Sequence, residues 1–259
     1  MNIRNERSSP AGTESPYVAF HQQDWIPEFY DEVVYQPGGY DDHSWRMLQR
    51  PMLERVVAAM PQRQIRCLDF ACGTGRILSA VEPLVAKIVG IDTSEQMLSK
   101  ARARGTSARL FCTDILIDES AAREKYDLIT AYRFFLNTEP ELRARVMEKL
   151  ASMLDGPDAR LVFNVHGHVP SSISLTSLHR RLHGWPPVNS MSIGEIRKLI
   201  GDAGLEAVEW RGFGLFPNRL YRSWLAGACK WFDRVAARIK WAHLLSLDVV
   251  TVCKLRQGA

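Results

Sequence analysis

The sequence predicts an α/β fold, a doubly wound sheet with helices on both faces. Three observations predict it. Five short apolar runs alternate with helical patterns between residues 65 and 165. A glycine-rich turn joins the first of these runs directly to a helix, and two further apolar runs follow before the chain ends.

The elements follow in order. Ile65–Phe70, Ile88–Ile91, Ala108–Cys112, Leu128–Ala131 and Leu161–Val165 are continuous apolar stretches of strand length, as expected for buried parallel strands. Helical stretches lie between them at about 75–84, 94–104 and 139–153. The last starts after Asn137-Thr138, a candidate N-cap, and stops at Asp155-Gly156-Pro157. A helix from Ile193 to Ala203 ends at Gly204, Leu205–Trp210 reads as a sixth strand and Leu247–Leu255 as a seventh. No internal repeat is evident.

Ahead of this region, residues 1–15 are polar and read as a mobile arm. Residues 16–59 read as a helical unit: aromatic short helices broken at Pro37-Gly38-Gly39, then helical spacing of Met47, Met52, Val56 and Val57. Residues 60–259 form the α/β domain, interrupted at 166–191 and 213–246. The first interruption carries His166, His168, His179 and His183 with Pro186-Pro187.

Composition excludes several classes. A hydrophobic share of 46% and a charged share of 24% describe an ordinary globular chain. The five cysteines are scattered, without a CxxC pair, so neither a disulfide framework nor a zinc site is predicted, and no metal is expected. The first residues are too polar for a signal peptide, and no run is long enough for a membrane span; a cytoplasmic protein is the expectation. A net charge of +4 is too mild to imply nucleic acid.

The chemistry-bearing residues sit at successive strand ends. The first strand runs into Asp69-Phe70-Ala71-Cys72-Gly73-Thr74-Gly75 and then a helix at Arg76. Small residues let the backbone approach a ligand, and the helix start offers free N–H groups. Asp92 ends the second strand, where a carboxylate can accept from both ribose hydroxyls. Asp114 follows the third, within reach of an adenine amino group, although a turn residue is the competing reading. A dinucleotide fingerprint fits poorly, because Ala71 and Arg76 stand where it needs its first and last glycines.

With LDFACGTGR, GIDTSEQMLSKAR, CTD and YDLITAYRFFLN in place, residues 60–212 resemble a class I S-adenosylmethionine-dependent methyltransferase of the small-molecule type. The resemblance implies a Rossmann-like seven-stranded sheet, mostly parallel with its last strand antiparallel. It implies S-adenosyl-L-methionine as cofactor, with Asp69, Ala71, Gly73 and Gly75 in the loop at the methionyl part. Asp92 would meet the ribose, Thr93 and Met97 the adenine, Asp114 and Ile115 the adenine edge, and Ala131 and Tyr132 the sulfonium side. The aromatic N-terminal unit would act as a lid, with Tyr40, Trp45, Arg46 and Arg50 as candidates to close on the cofactor or grip its carboxylate; ordinary packing of the segment onto the domain is the competing reading.

The acceptor is less defined. Tyr132, Arg133 and Asn137 lie beyond the fourth strand, and Asn164, His166 and His168 at the fifth. His166 is the preferred base, because imidazole titrates near neutrality, and a strand-capping role is the competing reading. Arg133 either grips an acidic acceptor group or pairs with a neighbouring carboxylate. A base suggests an oxygen acceptor on a small molecule, a saccharide or a lipid-linked intermediate. The alternatives are an RNA methyltransferase, or a regulatory protein that binds cofactor without turnover.

The second interruption is basic. Between Phe213 and Ser246 six cations face only Asp233, a net +5 that leaves the rest of the chain near −1. Leu220, Trp224, Ala228, Trp231, Val235 and Ile239 recur at helical spacing as an apolar stripe. Residues 219–241 could lie on an anionic membrane, cover the cleft, or pack onto the domain with their charges solvated.

Overall fold

The computed structural model describes residues 15–61, 64–118, 123–167, 182, 189–217, 219–239, 241 and 244–257. His168, His179, His183 and Pro186-Pro187 lie outside them.

Seven strands form one sheet: β1 (Arg66–Phe70), β2 (Lys87–Asp92), β3 (Arg109–Cys112), β4 (Leu128–Ala131), β5 (Arg160–His166), β6 (Leu205–Phe213) and β7 (Asp248–Leu255). Their order is β3-β2-β1-β4-β5-β7-β6. The first five are parallel where they meet, and β7 runs antiparallel to both β5 and β6. β4 is buried at every position and β1 at all but its first, which explains their continuous apolar sequence.

Helices cover both faces. Leu53 and Val56 of α4 (Arg50–Ala58), Ile77 and Leu78 of α5 (Arg76–Val81), and Leu98 of α6 (Glu95–Ala103) pack in one cluster with Cys67, Val162 and Val250. Met147 and Leu150 of α7 (Pro140–Ser152), with Ile196 and Ile200 of α8 (Ile193–Asp202), pack on the other side against Ile129, Phe163 and Val249. Among the described residues, further α-helices are α1 (Pro16–His21), α2 (Ile26–Glu28), α3 (Tyr40–Ser44) and α9 (Ala226–Ala236).

Several expectations need correction. α7 is not capped by Asn137-Thr138. It starts at Pro140, whose missing N–H suits a first turn, and the Thr138 hydroxyl donates instead to the Phe134 carbonyl. The helix expected from the spacing of Met47, Met52, Val56 and Val57 opens as a wide π-type turn, Trp45–Gln49, before α4. Pro51 cannot donate to the carbonyl four residues back, and the Arg50 N–H bonds Trp45, five back. β6 runs three residues beyond Trp210, because β7 supplies partners as far as Asp248. The direction of the basic segment's stripe, which the sequence left open, is outward: in α9 the buried residues are Cys229, Asp233 and Ala236, while Trp231 and Val235 are exposed.

Candidate active site

The loop after β1 is built around left-handed backbone. Ala71, Gly73 and Gly75 have φ of +52°, +54° and +83°. At Gly75 a Cβ would also lie 3.0 Å from the Ala101 Cβ of α6, so hydrogen is the side chain that fits. Asp92 holds the loop in place. Its carboxylate accepts from the N–H groups of Gly73 (2.8 Å) and Ser94 (2.9 Å). Burial raises its pKa, and the backbone hydrogen bonds offset part of that rise. A carboxylate has about four acceptor positions, so capacity remains for a ligand hydroxyl.

A cleft of about 1170 Å³, measured out to its open mouth, lies over the carboxyl ends of β1, β2 and β4. Ala71, Gly73, Asp92, Thr93, Met97, Asp114 and Ile115 line one part of it, and Tyr132, Arg133 and Asn164 another. Asp114 also serves its turn, accepting from the Leu116 N–H at 2.8 Å. Among the cofactor-loop, strand-end and base candidates, four do not line the cleft. Gly75 turns toward α6, and Ala131 is fully buried within β4. Asp69 is buried in β1, where Thr130 donates to one oxygen at 2.7 Å and the other has no partner among the described residues. Burial pushes its pKa up to about 7. His166 is the fourth.

The N-terminal segments roof the cleft. Tyr17 of α1, Tyr30 and Tyr35 around the second helix, and Trp45 all line it. Arg76, noted in the sequence only for not being glycine, places its guanidinium 4.1 Å from the Tyr35 ring centre and 5.2 Å from that of Trp45. It also donates to the Asp41 carbonyl at 3.0 Å. Arg133 donates to the Asp41 carboxylate at 2.7 Å, so the pairing reading of this arginine describes what is seen. Its Nε is buried without a partner among the described residues. Arg133 sits at φ +63°, with its N–H donating to the Asn164 side chain at 2.6 Å.

Other lid candidates sit elsewhere. Arg46 pairs with Asp42 and Arg50 with Glu54, each one turn away, and neither lines the cleft. Tyr40 reaches past the cleft to Asp248 of β7. The Tyr132 ring meets Trp45 edge-on at 5.9 Å, and its hydroxyl is buried without a partner among the described residues. Burial raises that phenol, so it stays protonated and cannot serve as a base near neutrality.

His166 pairs across the sheet with Asp248, its Nδ1 2.8 Å from a carboxylate oxygen. The other oxygen accepts from the Tyr40 hydroxyl at 2.7 Å. Burial presses the Asp248 carboxyl upward, but these hydrogen bonds outweigh it and hold it below its ordinary value. A carboxylate accepts from Nδ1–H, which leaves Nε2 of His166 as an acceptor. His166 lies two residues beyond Asn164 on the same side of β5, about 7 Å along the strand. A second histidine was missed in the sequence. His21 of α1 does line the cleft, with Nδ1 2.9 Å from the Tyr17 carbonyl and Nε2 3.0 Å from the Tyr30 hydroxyl. Burial lowers its pKa and keeps it neutral.

Residues 67–156, which include the loop, Asp92, Asp114 and Arg133, match the family described as a methyltransferase domain. That stretch of the chain is a methyltransferase domain. Over 102 residues it is 26% identical to an uncharacterized RNA methyltransferase of Leptospira interrogans, a match covering 39% of this chain. That match spans about a quarter (25%) of the curated relative. Solved structures agree on the fold. The cyclase SpnF superposes with a TM-score of 0.62 at 17% identity, over 96% of this chain and 100% of its own. An S-adenosylmethionine-dependent methyltransferase from Clostridium acetobutylicum gives 0.56 at 15%, over 88% and 96%. The magnesium protoporphyrin IX methyltransferase of Synechocystis PCC 6803, with bound SAH, gives 0.55 at 16%, over 90% and 100%.

The residues of this methyltransferase domain fit its cofactor. Asp92 offers acceptor capacity to a ribose, Gly73 and Ala71 keep the loop low, and the orphaned Nε of Arg133 can donate to a carboxylate. Asp114 and Ile115 line the same part of the cleft as Asp92.

Proposed function

We propose that the chain transfers the methyl group of S-adenosyl-L-methionine to an oxygen of a small molecule, a saccharide or a lipid-linked intermediate. The observation that carries the reading is the roof: an aromatic lid latched by Asp41 over the cofactor loop suits a compact acceptor enclosed beside the cofactor.

When bound, the cofactor supplies a sulfonium methyl whose C–S bond breaks, leaving the electron pair on sulfur, as the C–O bond to the acceptor forms. The chain's own residues position and deprotonate. Asp92 fixes the ribose, Arg133 holds a carboxylate by Nε, and the roof excludes water. The hydroxyl proton passes to Nε2 of His166, and Asp248 stabilises the resulting imidazolium.

A second reading of the base rests on one observation: His21 lines the cleft and His166 does not. Turnover of labelled cofactor against separate pools of metabolites, saccharides, lipids and RNA tests the acceptor class. Labelling of RNA alone would favour the reading that the Leptospira relative's name suggests. Binding without labelling of any pool would favour a regulatory protein. With an acceptor found, His166→Ala should lower turnover about a hundredfold or more with cofactor affinity unchanged. Unchanged turnover there, with a loss in His21→Ala, would move the base to the lid.

A further inference from the structure

Beyond the cleft, the described surface carries a cluster that methyl transfer does not use. Trp224 is 91% exposed, Trp231 55% and Trp241 61%, and Phe232, Leu244 and Leu245 are each at least 40% exposed. All six belong to the segment between β6 and β7. Exposing single apolar residues is common, but this many large ones in so short a stretch marks an interaction surface. Hydrophobic free energy opposes the arrangement in water, since the α9 sequence could equally have turned Trp231 inward and Asp233 outward.

The structure shows why it does not. Asp233 is buried and does three jobs: it accepts from the Tyr221 hydroxyl at 2.6 Å and from the Leu215 N–H at 3.0 Å, and it lies 3.9 Å from His43. Rotating α9 to bury the tryptophans would break these contacts. Lys230 further pins the helix to the lid by donating to the Gly38 carbonyl at 3.2 Å. The aromatic face is thus held outward by a polar anchor on the opposite side.

Charge selects the occupant. Arg234 on α9 and Arg238, two residues beyond its end, are exposed, and Arg219 and Arg222 are exposed just before it. The segment carries +5 while the rest of the chain is near −1. Two such faces repel one another, which disfavours a second copy of the chain. Tryptophans that are amphipathic, surrounded by arginines that can snorkel, match the headgroup layer of an anionic bilayer. No helix of the described residues is long and apolar enough to cross a membrane, so contact would be from one side.

We propose that residues 219–245 dock the protein on an anionic lipid bilayer, with Trp224, Trp231, Phe232 and Trp241 entering the headgroup region and Arg234 and Arg238 facing lipid phosphates. Because α9 is tied to the lid through Lys230 and to α3 through Asp233 and His43, docking brings the lid close to the membrane.

The test is flotation of the full chain with phosphatidylcholine vesicles, with and without phosphatidylserine. Binding is expected only with phosphatidylserine, and it should weaken in high salt. Trp224→Ser with Trp231→Ser should reduce partitioning at least about tenfold, and Arg234→Glu with Arg238→Glu by a similar factor of about ten or more. Circular dichroism of both variants should match the parent, since the altered side chains are exposed. No flotation with phosphatidylserine vesicles overturns the proposal. So does flotation that the tryptophan variant leaves unchanged. A parent dimer that dissociates in the tryptophan variant, without lipid binding, would assign the face to a second copy instead.

Discussion

Asp41 and Arg133 meet at 2.7 Å and join the lid to the end of β4. Both side chains are largely shielded, and Arg133 holds its position from a left-handed backbone that arginine seldom adopts. Such a conformation persists only where its surroundings over-determine it, and here Asn164, Asp41 and the Tyr30 ring do so.

Breaking this pair should loosen the roof more than it unfolds the protein. Asp41→Asn leaves a guanidinium without its counter-charge, at a cost of about 1–3 kcal/mol once partial exposure is allowed for. Faster amide exchange across α3, together with a raised KM, is the expected result. Unchanged exchange would show that the roof is held by its aromatic packing instead.

Asp92 serves loop and ligand together. Asp92→Ala removes the acceptor for the Gly73 and Ser94 N–H groups and for a ribose diol. Two lost charge-assisted hydrogen bonds correspond to roughly a hundredfold or greater loss of affinity. Calorimetry with S-adenosylhomocysteine measures it, and an affinity within a few-fold of the parent would place the ribose elsewhere.

Asp69 should make stability fall as pH rises. Its folded pKa is near 7, above the unfolded value, so between about pH 4 and 7 the folded state binds the extra proton. Its contribution is fully present below the unfolded pKa and is lost as pH climbs through 7. Asp69→Asn should flatten the stability curve across that window in denaturant titrations at several pH values. A slope that persists in the variant would assign it to other groups.

Ala71 tests backbone strain directly. At φ +52° a Cβ costs about 1–2 kcal/mol, which glycine would avoid at the expense of a looser unfolded chain. Ala71→Gly should be neutral or mildly stabilising, whereas Ala71→Val should lose about 2 kcal/mol or more and weaken the cofactor. Thermal unfolding and the same calorimetry distinguish the two.

Local patterns carried most of the fold. Strand runs, the loop and the strand-end acids Asp92 and Asp114 each depend on a few adjacent residues, so periodicity and turn chemistry reveal them. The roof depends on partners far apart in the chain. Nothing near residue 41 announces Arg133, and Asp248 can be matched to His166 only once the antiparallel register of β5 and β7 is fixed. Arg76 between Tyr35 and Trp45 is hidden for the same reason. The stripe in 219–241 was visible, but its direction was not, because hydrophobicity predicts burial and Asp233 overrules it locally.

Tyr40 and Asp41 are neighbours in sequence, yet one is anchored to β7 and the other to β4, with β5 between those strands. The ring of Tyr40 can lie there because Gly214 has no side chain: a Cβ would come within 2.4 Å of the tyrosine oxygen. A roof fastened at two strands cannot peel from one side, so lifting it fully requires both fastenings to part together. Where turnover waits on that lifting, release of the spent thioether and not the chemical step is the clock of the cycle. Deuterating the transferred methyl would leave such a clock untouched, while a more viscous solvent would slow it.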